Sequence, residues 1–198
     1  MKKTLLTALA ATAITTGAFA QGSLNFTDSN IAPGVATDNG TSWITGNVSV
    51  TFQIFWLAGT GNTSVVNAIN AADLAGNGGT TAAQLTADGF TSEFTGSTTV
   101  NGGVFTYNGT GVPLPNIPTS TQNTFAILAT FGSLSGSIAF VNGDGGSLSA
   151  VPAGTPANLD GWNTLGQNLV MTSAVPEPTT MALAGLGSLS LFLFRRRK

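Results

Sequence analysis

"NVSVTFQIFWL", Asn47 to Leu57, is the clearest alternating run in the chain. Val48, Val50, Phe52, Ile54 and Trp56 alternate there with Ser49, Thr51, Gln53 and Phe55. Successive side chains of an extended backbone point to opposite faces, so this period of two predicts a strand with one face in a core. Phe55 and Leu57 make its far end apolar on both faces, which predicts a central place in the sheet or a cover over that end.

Working outward, Val104-Phe105-Thr106-Tyr107, Thr124 to Phe131, Ser137 to Asn142 and Asn168 to Thr172 repeat the theme, each with turn-forming residues at both ends. Asn108-Gly109 and Asn142-Gly143 are favourable hairpin turns. "VPLPNIP", Val112 to Pro118, carries three prolines that cannot donate to a central ladder, which predicts an edge or a crossing loop. Ser64 to Ala75 breaks the pattern: Val65, Val66, Ile69, Ala72 and Leu74 have helical spacing, Ser64 is a candidate cap and Gly76 a stop. The expectation is an all-β antiparallel β-sandwich, with a jelly-roll-like variant among its topologies, carrying one short helix. Its length, residues 21 to 174, suffices for one domain with a real core.

The ends of the chain read differently. Lys2 and Lys3 precede a mildly apolar stretch from Leu5 to Thr16, and Ala18-Phe19-Ala20 places small residues three and one before Gln21. That is the layout of a secretory signal peptide, residues 1 to 20, cleaved after Ala20 and implying Sec export and a signal peptidase. Residues 175 to 198 read "VPEPTTMALAGLGSLSLFLFRRRK". Thr179 to Phe194 contains no charge and as a helix would reach about 24 Å, short against a hydrocarbon core of about 30 Å. Arg195, Arg196, Arg197 and Lys198 would act as a stop-transfer cluster on the cytoplasmic side, leaving the body outside.

Between these ends the composition excludes much chemistry. All six Lys and Arg lie in Lys2, Lys3 and Arg195 to Lys198, and the chain has no His and no Cys. A cation-free body carrying only Asp28, Asp38, Asp73, Asp88, Glu93, Asp144 and Asp160 cannot neutralise phosphates, so it is no nucleic-acid binder. Without imidazole, thiolate or a body lysine there is no Ser-His-Asp triad, thiolate nucleophile, Schiff base or thiolate zinc site. Carboxylate chemistry on a glycosidic bond remains, with Glu93, the body's single glutamate, the first acid to test. Most of the carboxylates sit beside Gly or Asn, the company of turn-forming Asp. Calcium at Asn142 to Ser147 falls short because one Asp is not a loop of several carboxylates, and no cofactor is expected. The Asn-X-Ser/Thr triplets at Asn25, Asn47, Asn62 and Asn108 are the chance harvest of an Asn- and Thr-rich chain.

The order Val175-Pro176-Glu177-Pro178, apolar Gly-containing helix, Arg cluster resembles the PEP-CTERM sorting signal of Gram-negative bacteria. The resemblance implies an exosortase, a membrane-embedded cysteine protease or transpeptidase, acting near Pro176, Glu177 and Pro178. It implies a transient inner-membrane anchor, then the cell envelope, surface or extracellular matrix, and links to exopolysaccharide and biofilm. The prolines agree physically, since each fixes φ and disfavours helix before it, keeping the chain extended for a protease. Three functions follow as candidates for the body: a non-catalytic surface or matrix protein, a carbohydrate-binding module with Trp162 as glycan contact on a loop at Asp160-Gly161-Trp162-Asn163, and a two-carboxylate hydrolase. Of the other tryptophans, Trp56 is expected in the core stripe and Trp43 is a weaker glycan candidate.

Overall fold

A computed structural model describes residues 21–27, 34–37, 42–76, 78–107, 111–118, 121–144 and 155–173. The decisive stretch forms β4 (Val48–Leu57). Val50, Phe52 and Ile54 are buried on one face while Phe55 is buried on the other, as the alternation predicts. β4 is central, paired antiparallel with β5 (Thr91–Asn101) and β8 (Gln122–Phe131). Among the described residues the main sheet has eight strands in the order β3-β2-β10-β9-β8-β4-β5-β6. The remaining members are β2 (Val35–Thr37), β3 (Ser42–Trp43), β6 (Val104–Thr106), β9 (Leu134–Gly143) and β10 (Leu169–Ser173).

The mostly-β reading therefore holds, but the sandwich does not. One long sheet curls until its two ends meet: Val35 N donates to Gly103 O at 2.9 Å and Gly103 N to Ile44 O at 3.3 Å. Strands of ten and eleven residues accumulate enough twist to close on themselves instead of splitting into two layers. The antiparallel expectation also has an exception, because β10 runs parallel to β2. A separate ribbon of β1 (Gln21–Leu24) and β7 (Val112–Pro118) covers the concave side with Leu24, Val112, Leu114 and Ile117. The proline-rich "VPLPNIP" is thus β7, a strand outside the main sheet, as its missing donors require.

The curl encloses an aromatic core. Trp162 stacks between Phe105 and Phe140, with ring centroids 5.4 and 6.0 Å away, and Phe26 meets Phe52 edge-on at 5.0 Å. The convex side carries helices instead. α1 (Thr63–Leu74) and α2 (Ala82–Ala87) press Ile69 and Leu85 against Phe55, Ala126, Leu128 and Ala139. This is the cover that Phe55 and Leu57 called for.

Among the described residues three helices stand where one was expected in the body. α1 matches, and Gly76, at φ 73°, follows its end, but its N-cap is Asn62 and not Ser64. The Asn62 amide instead donates to Ala58 O, Gly59 O and Thr124 Oγ1. α2 begins with a reciprocal capping box between Thr81 and Gln84. α3 (Asp160–Leu165) replaces the expected loop around Trp162. Asn142-Gly143 does not turn a hairpin; it finishes β9, and the chain reverses at Gly132-Ser133 between β8 and β9. Asn108-Gly109 lies outside the described residues.

Strand directions give the molecule two rims. At one, the exit rim, β10 ends at Ser173 beside the β8–β9 turn, the start of β4 and the β5–β6 turn. At the opposite, far rim lie the start of β5, the end of β9 and α3.

Candidate functional site

Three side chains do what a missing strand would do. β10 pairs with β9 only at Thr172↔Ser135 and Ser173↔Leu134, and beyond that the two strands separate. The edge of β9 from Ser137 onward would be bare, and unpaired backbone groups under cover are costly. Asp73, on α1, fills the gap: Oδ1 accepts from Ser137 N and Oδ2 from Val170 N, each at 2.8 Å. Asn70, one turn earlier, accepts from Ala139 N at 2.8 Å and donates to Ala139 O at 2.9 Å, copying both bonds of a strand partner. Further along, Asn142 accepts from Gly161 N at 2.7 Å and donates to Asn158 O at 2.9 Å, tying β9 to α3.

Asp73 is fully buried, and no cation in the body can balance it. Burial pushes its carboxyl up to about 7, outweighing the two N–H bonds that favour the charged form. Glycine makes the close approach feasible: a Cβ at Gly136 would collide with Val170 O and come within 2.9 Å of Asp73 Oδ1. Asp73 is therefore a staple between helix and sheet.

Glu93, the first acid for a hydrolase, is likewise engaged. Oε1 accepts from Trp56 Nε1 at 2.7 Å, and both oxygens accept from Asn116 Nδ2, at 3.1 and 3.0 Å. The carboxylate joins β4, β5 and β7, and Trp56 packs partly buried against the core as its place in the stripe predicts. Trp162 corrects the glycan reading: at 0 % exposure, stacked between two phenylalanines and donating from Nε1 to Gln167 O at 2.8 Å, it offers no face to a sugar. The turn-like Asp-Gly-Trp-Asn context concealed a helix whose Gly161 lies so close to Val141 O that no side chain fits.

An open cleft remains at the far rim. It has a volume of about 400 Å³ and is bounded by Gln122, Asn142, Asn158, Asp160 and Thr164 among others. Asn142 is consumed by its backbone bonds, but Gln122, Asn158, Asp160 and Thr164 are exposed. Their amide, carboxylate and hydroxyl groups suit a neutral, hydroxyl-rich ligand, and the lack of any cation makes the cleft a poor anion site. Beside it, Asp144 Oδ1 accepts from Thr121 N at 2.6 Å, and this bond holds the end of β9 in place.

The folded body runs from Gln21, the first residue of β1, to Ser173, the last of β10. The next residue opens a matched segment. Residues 174–198 carry a PEP-CTERM protein-sorting motif. No curated protein and no solved structure matches the chain. The PEP-CTERM motif marks an exported protein that an exosortase, a membrane protease, processes. Pro176, Glu177, Pro178, Arg195, Arg196, Arg197 and Lys198 lie in that motif and outside the described residues, as do Ala18 and Ala20. Among the described residues no helix is long and apolar enough to cross a membrane.

Proposed function

We propose that residues 21–174 form a non-catalytic protein of the cell surface or extracellular matrix, exported by Sec, trimmed by signal peptidase after Ala20 and released from a transient inner-membrane anchor at Pro176-Glu177-Pro178. The observation that carries this reading is the position of the sorting motif, which starts one residue after a strand paired on both sides. The fold thus presents the processing segment with no long linker. The engagement of Glu93 and Asp73 in structural bonds supports a body without acid–base work. Mass spectrometry of protein from cells and medium tests the reading: the recovered chain is expected to end near Glu177. A full-length, membrane-bound species whose fate is unchanged by Glu177→Ala would refute it.

A carbohydrate-binding module is the second reading, and the polar far-rim cleft favours it over Trp162. Exopolysaccharide is the partner this reading names. Binding isotherms across neutral polysaccharides are expected to weaken about tenfold in Asp160→Ala or Gln122→Ala, as loss of a hydrogen bond to a ligand hydroxyl commonly does. Flat isotherms for the unaltered protein would remove this second reading and leave the first intact.

A further inference from the structure

Among the described residues the exposed large apolar side chains are unevenly distributed between the two rims. Val104, 54 % exposed, opens β6 at the exit rim, and Phe131, 41 % exposed, closes β8 there. Trp43, 43 % exposed, lies on β3 across the sheet closure, its indole against Gly103 so closely that a Cβ there would collide with it. Leu74, 55 % exposed, ends α1 on the same side, because α1 meets Ala139 at Asn70 and then Ser137 at Asp73 as β9 approaches its start. Of this group only Leu165 is at the far rim. Among the described residues the carboxylates other than the buried Asp73 are arranged the other way: Asp88, Glu93, Asp144 and Asp160 all fall toward the far rim, the first two flanking the start of β5.

The chain leaves this apolar rim at Ser173, between the strand bearing Phe131 and the strand bearing Trp43. Residues 174 to 178 then precede the uncharged run beginning at Thr179. At most about 3.3–3.6 Å per residue, that spacer places the rim within about 20 Å of the membrane that receives the run. We infer that the exit rim, through Trp43, Val104, Phe131 and Leu74, rests on the lipid surface while the uncleaved precursor is held by its tail. This rests on the anchored precursor proposed above. Aromatic side chains favour the bilayer interface, and a cation-free body cannot adsorb to anionic lipid by charge, so apolar contact is the available attraction. The far-rim carboxylates then point away from the anionic headgroups, which sets the orientation.

The full-length precursor is reconstituted in vesicles of phosphatidylethanolamine and phosphatidylglycerol with brominated acyl chains, and tryptophan emission is compared with unbrominated vesicles. The expected result is a loss of emission that disappears in Trp43→Phe and shrinks in Phe131→Ser, since Trp162 is buried and Trp56 half-buried. Protein that floats with the vesicles but shows the same emission with and without bromine would overturn the docking while leaving the anchor intact. A Trp43 blue shift that grows with protein concentration and ignores bromine would also overturn it, assigning the rim to a second copy. Failure to float would remove the anchored precursor and the docking together.

Discussion

The two faces of the curled sheet are closed by different chemistry. On the concave side, rings stack on rings: Trp162 lies between Phe105 and Phe140, and Phe26 and Phe52 fill the space beside them. On the convex side a small apolar cluster around Ile69 and Leu85 is reinforced by Asn70 and Asp73 bonding to strand backbone. Burial of apolar area is indifferent to pH, whereas a buried carboxyl that titrates near neutrality is not. A chain without Cys or any body cation has neither disulfides nor salt bridges with which to attach a helix, and it uses side chains that imitate strand partners.

Removing the stacked indole should break the concave side most severely. Trp162→Ala deletes the largest fully buried side chain, and truncations of that kind cost about 3–5 kcal/mol. For a domain of this size the melting temperature should fall by roughly 10 °C or more, by the same amount at pH 5 and pH 8. A drop of only a degree or two in thermal melts would mean that the rings are not what closes this face.

Asp73→Ala sharpens the contrast. It strands the Ser137 and Val170 N–H groups, at about 1–3 kcal/mol each if both stay buried. The folded carboxyl, at about 7, binds protons that the unfolded chain releases near its ordinary value of 3.8. Stability from this group is therefore complete below about pH 4 and is lost as pH rises through 7, at up to about 1.4 kcal/mol per pH unit. Denaturant titrations should show the penalty of Asp73→Ala largest at about pH 4 and smaller at pH 8. An unaltered slope between pH 4 and 7 in the variant would assign the pH dependence elsewhere.

The concave side was the more legible one. The Val50-Phe52-Ile54 stripe, the strand at Thr124 to Phe131 and the outlying "VPLPNIP" follow from periodicity and proline chemistry, which are local. β5 escaped because its stretch Thr91 to Asn101 alternates threonine and serine with few apolar residues, although the density of Thr was itself a strand signal. The convex seam was invisible for a different reason. Asp73 bonds to residues 64 and 97 positions away, and Asn70 to one 69 away, so helix periodicity gave no sign of their partners. Asp160-Gly161-Trp162-Asn163 misled because its turn-like glycine answers to Val141 O, again a distant contact. Its indole, expected on a surface loop, is the centre of the core.

The smallest effect comes from the other helix on the convex side. Thr81-Ala-Ala-Gln84 is a capping-box signature, and α2 uses it fully: Thr81 Oγ1 accepts from Gln84 N at 3.3 Å while Gln84 Oε1 accepts from Thr81 N at 2.8 Å. These bonds are exposed to water, and what anchors the helix is buried Leu85 together with the bond from Thr80 N to Ser137 Oγ at 2.7 Å. Thr81→Ala should therefore cost about 1 kcal/mol, independent of pH, well below Asp73→Ala on the same face. Equal losses from the two substitutions would mean that the convex side is held by helix propensity and capping, and the carboxylate staple would lose its standing as the feature that distinguishes one face from the other.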